Sequence, residues 1–228
     1  MKKAFDEGNY DVYWEHGTYT LSEVYLYMEK TLSWQWTMGL PIGNNCRYYF
    51  NNSTLISNKA PDGYTSDVRN ILDCKASSQN FELYDGILIN NGGVYCVHDE
   101  ANAAEDFYRH VYKNMRMTYN VTTDSGSLYR CIGGGAGQRG LIIIENCLFG
   151  ITDDTREVTW HGANLNKSYS LSFNISNCYF KNRFDFDGIR EASSSINLNF
   201  NNNSVKSLPG NDAFTTLVQF NNEIRGNE

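Results

Sequence analysis

Short runs of alternating apolar and polar residues recur along the chain, each closed by Asn or Asp. They read Tyr48-x-Phe50-x-Asn52, Phe81-x-Leu83-x-Asp85, His110-x-Tyr112-x-Asn114, Ile142-x-Ile144-x-Asn146, Phe173-x-Ile175-x-Asn177, Leu198-x-Phe200-x-Asn202 and Val218-x-Phe220-x-Asn222. Three residues after most of these anchors stands a further apolar side chain: Leu55, Leu88, Met117, Phe149, Phe180 or Val205. The anchors are spaced by 33, 29, 32, 31, 25 and 20 residues. Period-2 alternation is the signature of a strand with one buried face. A self-similar unit of roughly 20–35 residues carrying such strands predicts a stacked solenoid, in which no coil can bury its apolar face alone. The predicted fold is an all-β parallel β-helix of about eight coils at roughly 4.8 Å each. Phe81, Ile142 and Phe173 fall in one inward column, and Leu83, Ile144 and Ile175 in the next.

The pattern also sets the organisation. Residues 1–8 read as a short helical cap stopped by Gly8. Asp11–Trp14 and Thr18–Leu21 read as strands, residues 22–38 fit helix and strand equally, and Leu40–Gly43 is a strand before an Asn44-Asn45 turn. Residues 1–45 thus form the cap and first coils, and residues 46–228 the regular coils of one domain, expected to be a piece of a longer chain. The intervals 57–70, 99–109, 120–127, 133–140, 150–157 and 162–170 are polar or Gly-rich and read as surface loops. Gly133–Gly137 lacks the Lys-Ser/Thr of a phosphate loop and is read as a tight turn.

Composition sharpens this picture in three places. Asn is the outlier, with 28 residues in 228. It suits turns and left-handed backbone, and equivalent Asn side chains can bond one another up a stack. The net charge of −7 without a basic run argues against nucleic acid, and no apolar run is long enough for membrane insertion. No secretory leader is visible at the start. The six cysteines lack a paired zinc-ligand spacing. Cys147 and Cys178 each follow an anchor Asn, which favours stacked free thiols over a bridge.

The Gly17-Thr18-Tyr19 step after the first strand, the coils Ile142–Phe149 and Phe173–Phe180, and the opening Lys3–Gly8 resemble the right-handed parallel β-helices of the pectin-lyase-like superfamily. The opening in particular resembles pectate-lyase-like modules of bacteriophage tail spikes. The resemblance implies a right-handed coil, a virion, extracellular or cell-surface setting, a polysaccharide partner and a homotrimer. It does not fix activity, because the superfamily holds lyases, hydrolases and silent adhesive modules.

Candidate chemistry follows from spacing. Counting 16 residues back from later anchors lands on His98, Arg130 and His161, and one coil on it lands on Phe186, or on Asp187 with a one-residue slip. Their neighbours add Asp99, Glu100, Asp185, Arg190 and Glu191, giving a polar row along one face. Three readings stay open. Hydrolysis needs two carboxylates, Asp99 or Glu100 with Asp185 or Asp187. Elimination on a uronic acid needs a base, Arg130 or His161, and would bring Ca2+ with it; otherwise no cofactor is expected. Binding without chemistry would use Tyr95, Tyr129 and Trp160 as flat apolar faces for sugar rings, with Arg190 beside them. His110 falls on an inward column and reads as a core histidine.

Overall fold

The computed structural model describes residues 2–21, 38–57, 69–74, 80–91, 95–99, 108–120, 130–134, 139–152, 157–162, 170–187, 196–206 and 223–224. These residues form three parallel sheets that the chain visits in turn. The first sheet contains β1 (Asp11–Tyr13), β4 (Cys46–Tyr49), β7 (Asn80–Tyr84), β10 (Tyr108–Lys113), β13 (Arg139–Glu145), β16 (Ser170–Ser176) and β19 (Ile196–Asn201). The second contains β2 (Thr18–Thr20), β5 (Thr54–Ser57), β8 (Ile87–Asn91), β11 (Arg116–Asn120), β14 (Leu148–Ile151), β17 (Tyr179–Phe180), β20 (Ser204–Val205) and β21 (Glu223–Ile224). The third contains β3 (Met38–Ile42), β6 (Arg69–Cys74), β9 (Tyr95–Asp99), β12 (Arg130–Gly134), β15 (Glu157–Gly162) and β18 (Arg183–Asp187). Apart from the β20–β21 pair that ends the second sheet, each strand pairs with the strand three places on in sequence, an arrangement consistent with a parallel β-helix.

The inward columns are those the alternation predicts. Phe81, His110, Ile142, Phe173 and Leu198 are in register in the first sheet, as are Leu83, Tyr112, Ile144, Ile175 and Phe200. The apolar residues three places after the anchors, Leu55, Leu88, Met117, Phe149, Phe180 and Val205, are all buried. Aromatic rings stack along the core, with Phe149 and Phe180 5.1 Å apart at 8°. Full burial of each such side chain contributes about 1.5–3 kcal/mol.

The coil that begins at Cys46 departs from the predicted alignment. Tyr48, not Phe50, is in register with Leu83. Asn51 and Asn52 both adopt positive φ, 51° and 56°. The corner there holds two extra residues, and Phe50 sits at the corner rather than in the strand. Helix α1 (Lys2–Glu7) lies over this end: the Ala4 carbonyl accepts from Gly8 N at 3.0 Å and from Cys46 Sγ at 3.4 Å. Pro41 is tolerated because β3 is the edge of its sheet, where a missing N–H breaks no ladder. The ambiguous stretch 22–37 lies outside the described residues. Among the described residues no helix is long and apolar enough to cross a membrane.

Candidate functional site

The corner between the first and second sheets is built by the anchors. Asn52, Asp85, Asn114, Asn146, Asn177 and Asn202 all have φ of 54–56°. An L-residue pays sterically for this left-handed conformation, and Asn and Asp tolerate it best after Gly. Because the corner repeats, the side chains form a ladder. Asn114 Nδ2 donates to Asp85 Oδ1 at 2.8 Å, Asn146 Nδ2 to Asn114 Oδ1 at 3.3 Å, and Asn202 Nδ2 to Asn177 Oδ1 at 2.5 Å. A second amide ladder, Asn9, Asn45 and Asn80, stands where the chain enters the first sheet.

Apart from Gly86, the residue after each anchor turns inward toward the corner of the preceding coil. Gly86 N meets Met115 Sδ at 3.3 Å, Cys147 N meets Cys178 Sγ at 3.4 Å, and Cys178 N donates to Asn203 Oδ1 at 2.8 Å. All six cysteines are buried free thiols. Burial first, and then the neighbouring Cys178, push the Cys147 thiol well up. It stays protonated and is a poor nucleophile.

The second residue after each anchor points outward, giving a row of Thr54, Ile87, Arg116, Leu148, Tyr179 and Ser204 in register. Between this row and the amide ladder runs an open groove of about 610 Å³, whose lining includes Asn146, Asn177, Arg116, Leu148 and Tyr179. Leu148 and Tyr179 stand out as large apolar side chains on the surface, 37% and 39% exposed. The groove therefore combines amide donors and acceptors repeated at the coil spacing, one guanidinium and a strip of apolar surface. No Asp, Glu or His occurs among its described lining residues. Composition alone did not single out this groove, since its residue types are ordinary. Its signal was apolar Leu148 and Tyr179 at outward positions, beside a row of Asn.

The third sheet holds the residues that spacing selected. His98, Gly133, His161 and Asp187 are in register, extended downward by Asp73. Arg130 is not in that row: it pairs with Tyr95. The link from β12 to its anchor is three residues shorter than those after His98 and His161, so a fixed count of 16 overshoots. His98 Nδ1 lies 2.9 Å from Asp73 Oδ1, with the carboxylate fully buried and the imidazole largely so. Tyr95 is buried, its ring parallel to that of His98 at 5.6 Å, and so offers no free face to a sugar. Asp99 is a second correction. It points into the coil, where its carboxylate accepts from Tyr112 and faces His110, so it belongs to no outer acidic pair. Trp160 is in register with Ile132 and Phe186, and Asp185 with Thr159. Glu100, Tyr129, Arg190 and Glu191 lie outside the described residues.

The outer face of the first sheet is self-paired. Tyr13, Tyr49 and Tyr84 stack at 4.9 and 5.0 Å with planes within 9°. Beside them Arg47 bridges Asp11 and Glu82, and Arg109 meets Glu82. Partial burial raises the Glu82 pKa, but hydrogen bonds from Tyr84 and Arg109 and the charges of Arg109 and Arg47 outweigh it and hold the carboxyl below its usual range. Burial and that same carboxylate push Tyr84 up to about 12. Ring faces and charges on this surface are largely spent on one another. The chain matches no protein-family model, no curated protein and no solved structure.

Proposed function

We propose that this chain is a polysaccharide-binding module that lays an extended glycan along the groove between its first and second sheets. The observation that carries the reading is the combination in that groove of coil-spaced Asn side chains with exposed Leu148 and Tyr179. Sugar hydroxyls suit amides, which both donate and accept. The apolar faces of sugar rings suit Tyr179 and Leu148, and Arg116 offers a charge to an acidic sugar. A linear polymer lying parallel to the stack meets the same chemistry at each coil. In this reading the fold is a right-handed β-helix of the pectin-lyase-like kind. The setting is a virion or cell surface in the style of a tail spike, and three copies assemble. The lack of acid–base groups among the described lining residues supports binding rather than cleavage at this groove.

Cleavage is the second reading, and the Asp73–His98 pair favours it. A buried carboxylate orients an imidazole that shares a row with His161 and Asp187, as an acid–base site requires. A retaining or inverting hydrolase would further need two carboxyl groups about 5–9.5 Å apart.

A glycan array with the intact chain, followed by titration of the best polysaccharide, tests both readings. Binding weakened about tenfold by Tyr179→Ala, a loss of about 1.4 kcal/mol, with no new reducing ends and no unsaturated product, supports the binding module. New reducing ends that disappear in His98→Gln would replace it with an enzyme. Binding unaffected by Tyr179→Ala would remove the groove from the account.

A further inference from the structure

Away from the groove, three buried side chains with metal-ligating atoms converge inside the stack. These are Cys74, Asp99 and His110, whose ligand atoms all lie within 4.8 Å of one another. The register brings them together. Cys74 and Asp99 close successive strands of the third sheet and are direct partners. His110 enters from the first sheet, in the inward column between Phe81 and Ile142.

The cluster is held in place. Tyr112 Oη donates to Asp99 Oδ2 at 2.5 Å, while His110 Nδ1 lies 2.8 Å from Asp99 Oδ1. The imidazole is clamped between Phe81 and Tyr108, with ring centroids 4.1 and 4.7 Å away. A carboxylate and an imidazole that meet inside a largely apolar coil interior are costly to bury. Alternation alone gives no reason for a thiol, a carboxylate and an imidazole to meet at one point.

We propose that Cys74, Asp99 and His110 form a structural site for a divalent transition metal, Zn2+ by the chemistry of the donors. One sulfur, one nitrogen and one oxygen suit this borderline ion, which takes all three donor types in tetrahedral geometry. A thiolate and a carboxylate balance its two positive charges, so the loaded site is neutral in the core. Zinc bonds of about 2.0–2.2 Å to nitrogen and oxygen would set those two atoms roughly 3.4 Å apart. This is a spread of about half an ångström from the 2.8 Å seen between His110 and Asp99. Tyr112 keeps its bond to the other carboxylate oxygen and so orients the ligand. The fourth position goes to water. Binding releases the Cys74 proton and needs the ligating nitrogen of His110 bare. The ion then ties the third sheet to the first across the coil.

The test is metal analysis of the full chain expressed with zinc, dialysed and checked for β-sheet by circular dichroism. About one zinc per chain is expected, and removal by a chelator lowers the melting temperature. Replacement by Co2+ gives thiolate-to-cobalt charge transfer in the near ultraviolet with tetrahedral bands in the visible. Cys74→Ser, nearly isosteric, abolishes the charge-transfer band and most of the zinc, whereas Cys147→Ser leaves both unchanged. Two outcomes would overturn the proposal: a folded wild-type chain that takes up neither zinc nor cobalt, or a folded Cys74→Ser variant that keeps full stoichiometry.

Discussion

Replacing Asn146 separates the two jobs of the anchor ladder. Asn146 holds φ at 54° and donates to Asn114 at 3.3 Å from an exposed position. Ala at this site keeps the left-handed backbone without an amide. The steric term costs about 1–2 kcal/mol, and the exposed hydrogen bond adds about 0.5 kcal/mol. Asn146→Ala is therefore expected to lose roughly 1.5–2.5 kcal/mol. Asn146→Gly removes the steric term, loses the same bond, and adds the entropy of a freer unfolded chain, about 0.5–1 kcal/mol. Its expected loss is nearer 1 kcal/mol. Urea unfolding reads both as midpoint shifts at constant slope. The order wild type, then Gly, then Ala supports the corner as a backbone requirement with a side-chain ladder on top. An Ala variant as stable as wild type, or more stable than the Gly variant, would refute the argument.

Other outcomes follow from the same geometry. Asn203→Leu leaves the Cys178 N–H and the Ile175 carbonyl without the buried partners they have at 2.8 and 3.0 Å; a loss of about 2–4 kcal/mol in denaturant unfolding is expected. Gly86→Ala would place a Cβ 2.8 Å from Met115 Cε and 2.9 Å from Phe50 Cδ2. Met115 can yield but the packed Phe50 ring cannot, so calorimetry should show a loss of about 1–3 kcal/mol. Glu82 is held more acidic in the fold than in the unfolded chain. Its stabilising contribution is therefore complete above the ordinary glutamate range, about 4.3, and is lost as pH falls through that range toward the folded value. Stability measured against pH should fall less steeply on the acid side in Glu82→Gln than in wild type.

The legibility of this chain was uneven, for physical reasons. The anchors were readable because a left-handed corner restricts the residue type, and the first-sheet columns because inward alternation there is unbroken from Phe81 to Phe200. The coil that begins at Cys46 misled because Asn51 and Asn52 both take up the left-handed bend and lengthen the corner by two residues. The third sheet was harder, since the links between it and the anchors vary in length. His98 and His161 fell in one row as counted, whereas Arg130 did not. Spacing put Asp99 in the outer polar row, and only its placement opposite His110 and Tyr112 reveals it as an interior group. The groove escaped notice because a binding surface made of turn residues uses the same Asn that the backbone already demands.

The most direct test of the groove is the dependence of affinity on oligosaccharide length. The ladder from Asn52 to Asn202 spans five coil steps, roughly 24 Å, or about five sugars of an extended chain. Calorimetric titration with a graded series from the best-binding polysaccharide should show affinity rising with each added sugar up to about that length and then levelling. Tyr179→Ala should weaken the long oligomers more than the short ones. A monosaccharide or disaccharide that binds as tightly as the polymer would contradict an axial groove and point to a compact pocket elsewhere.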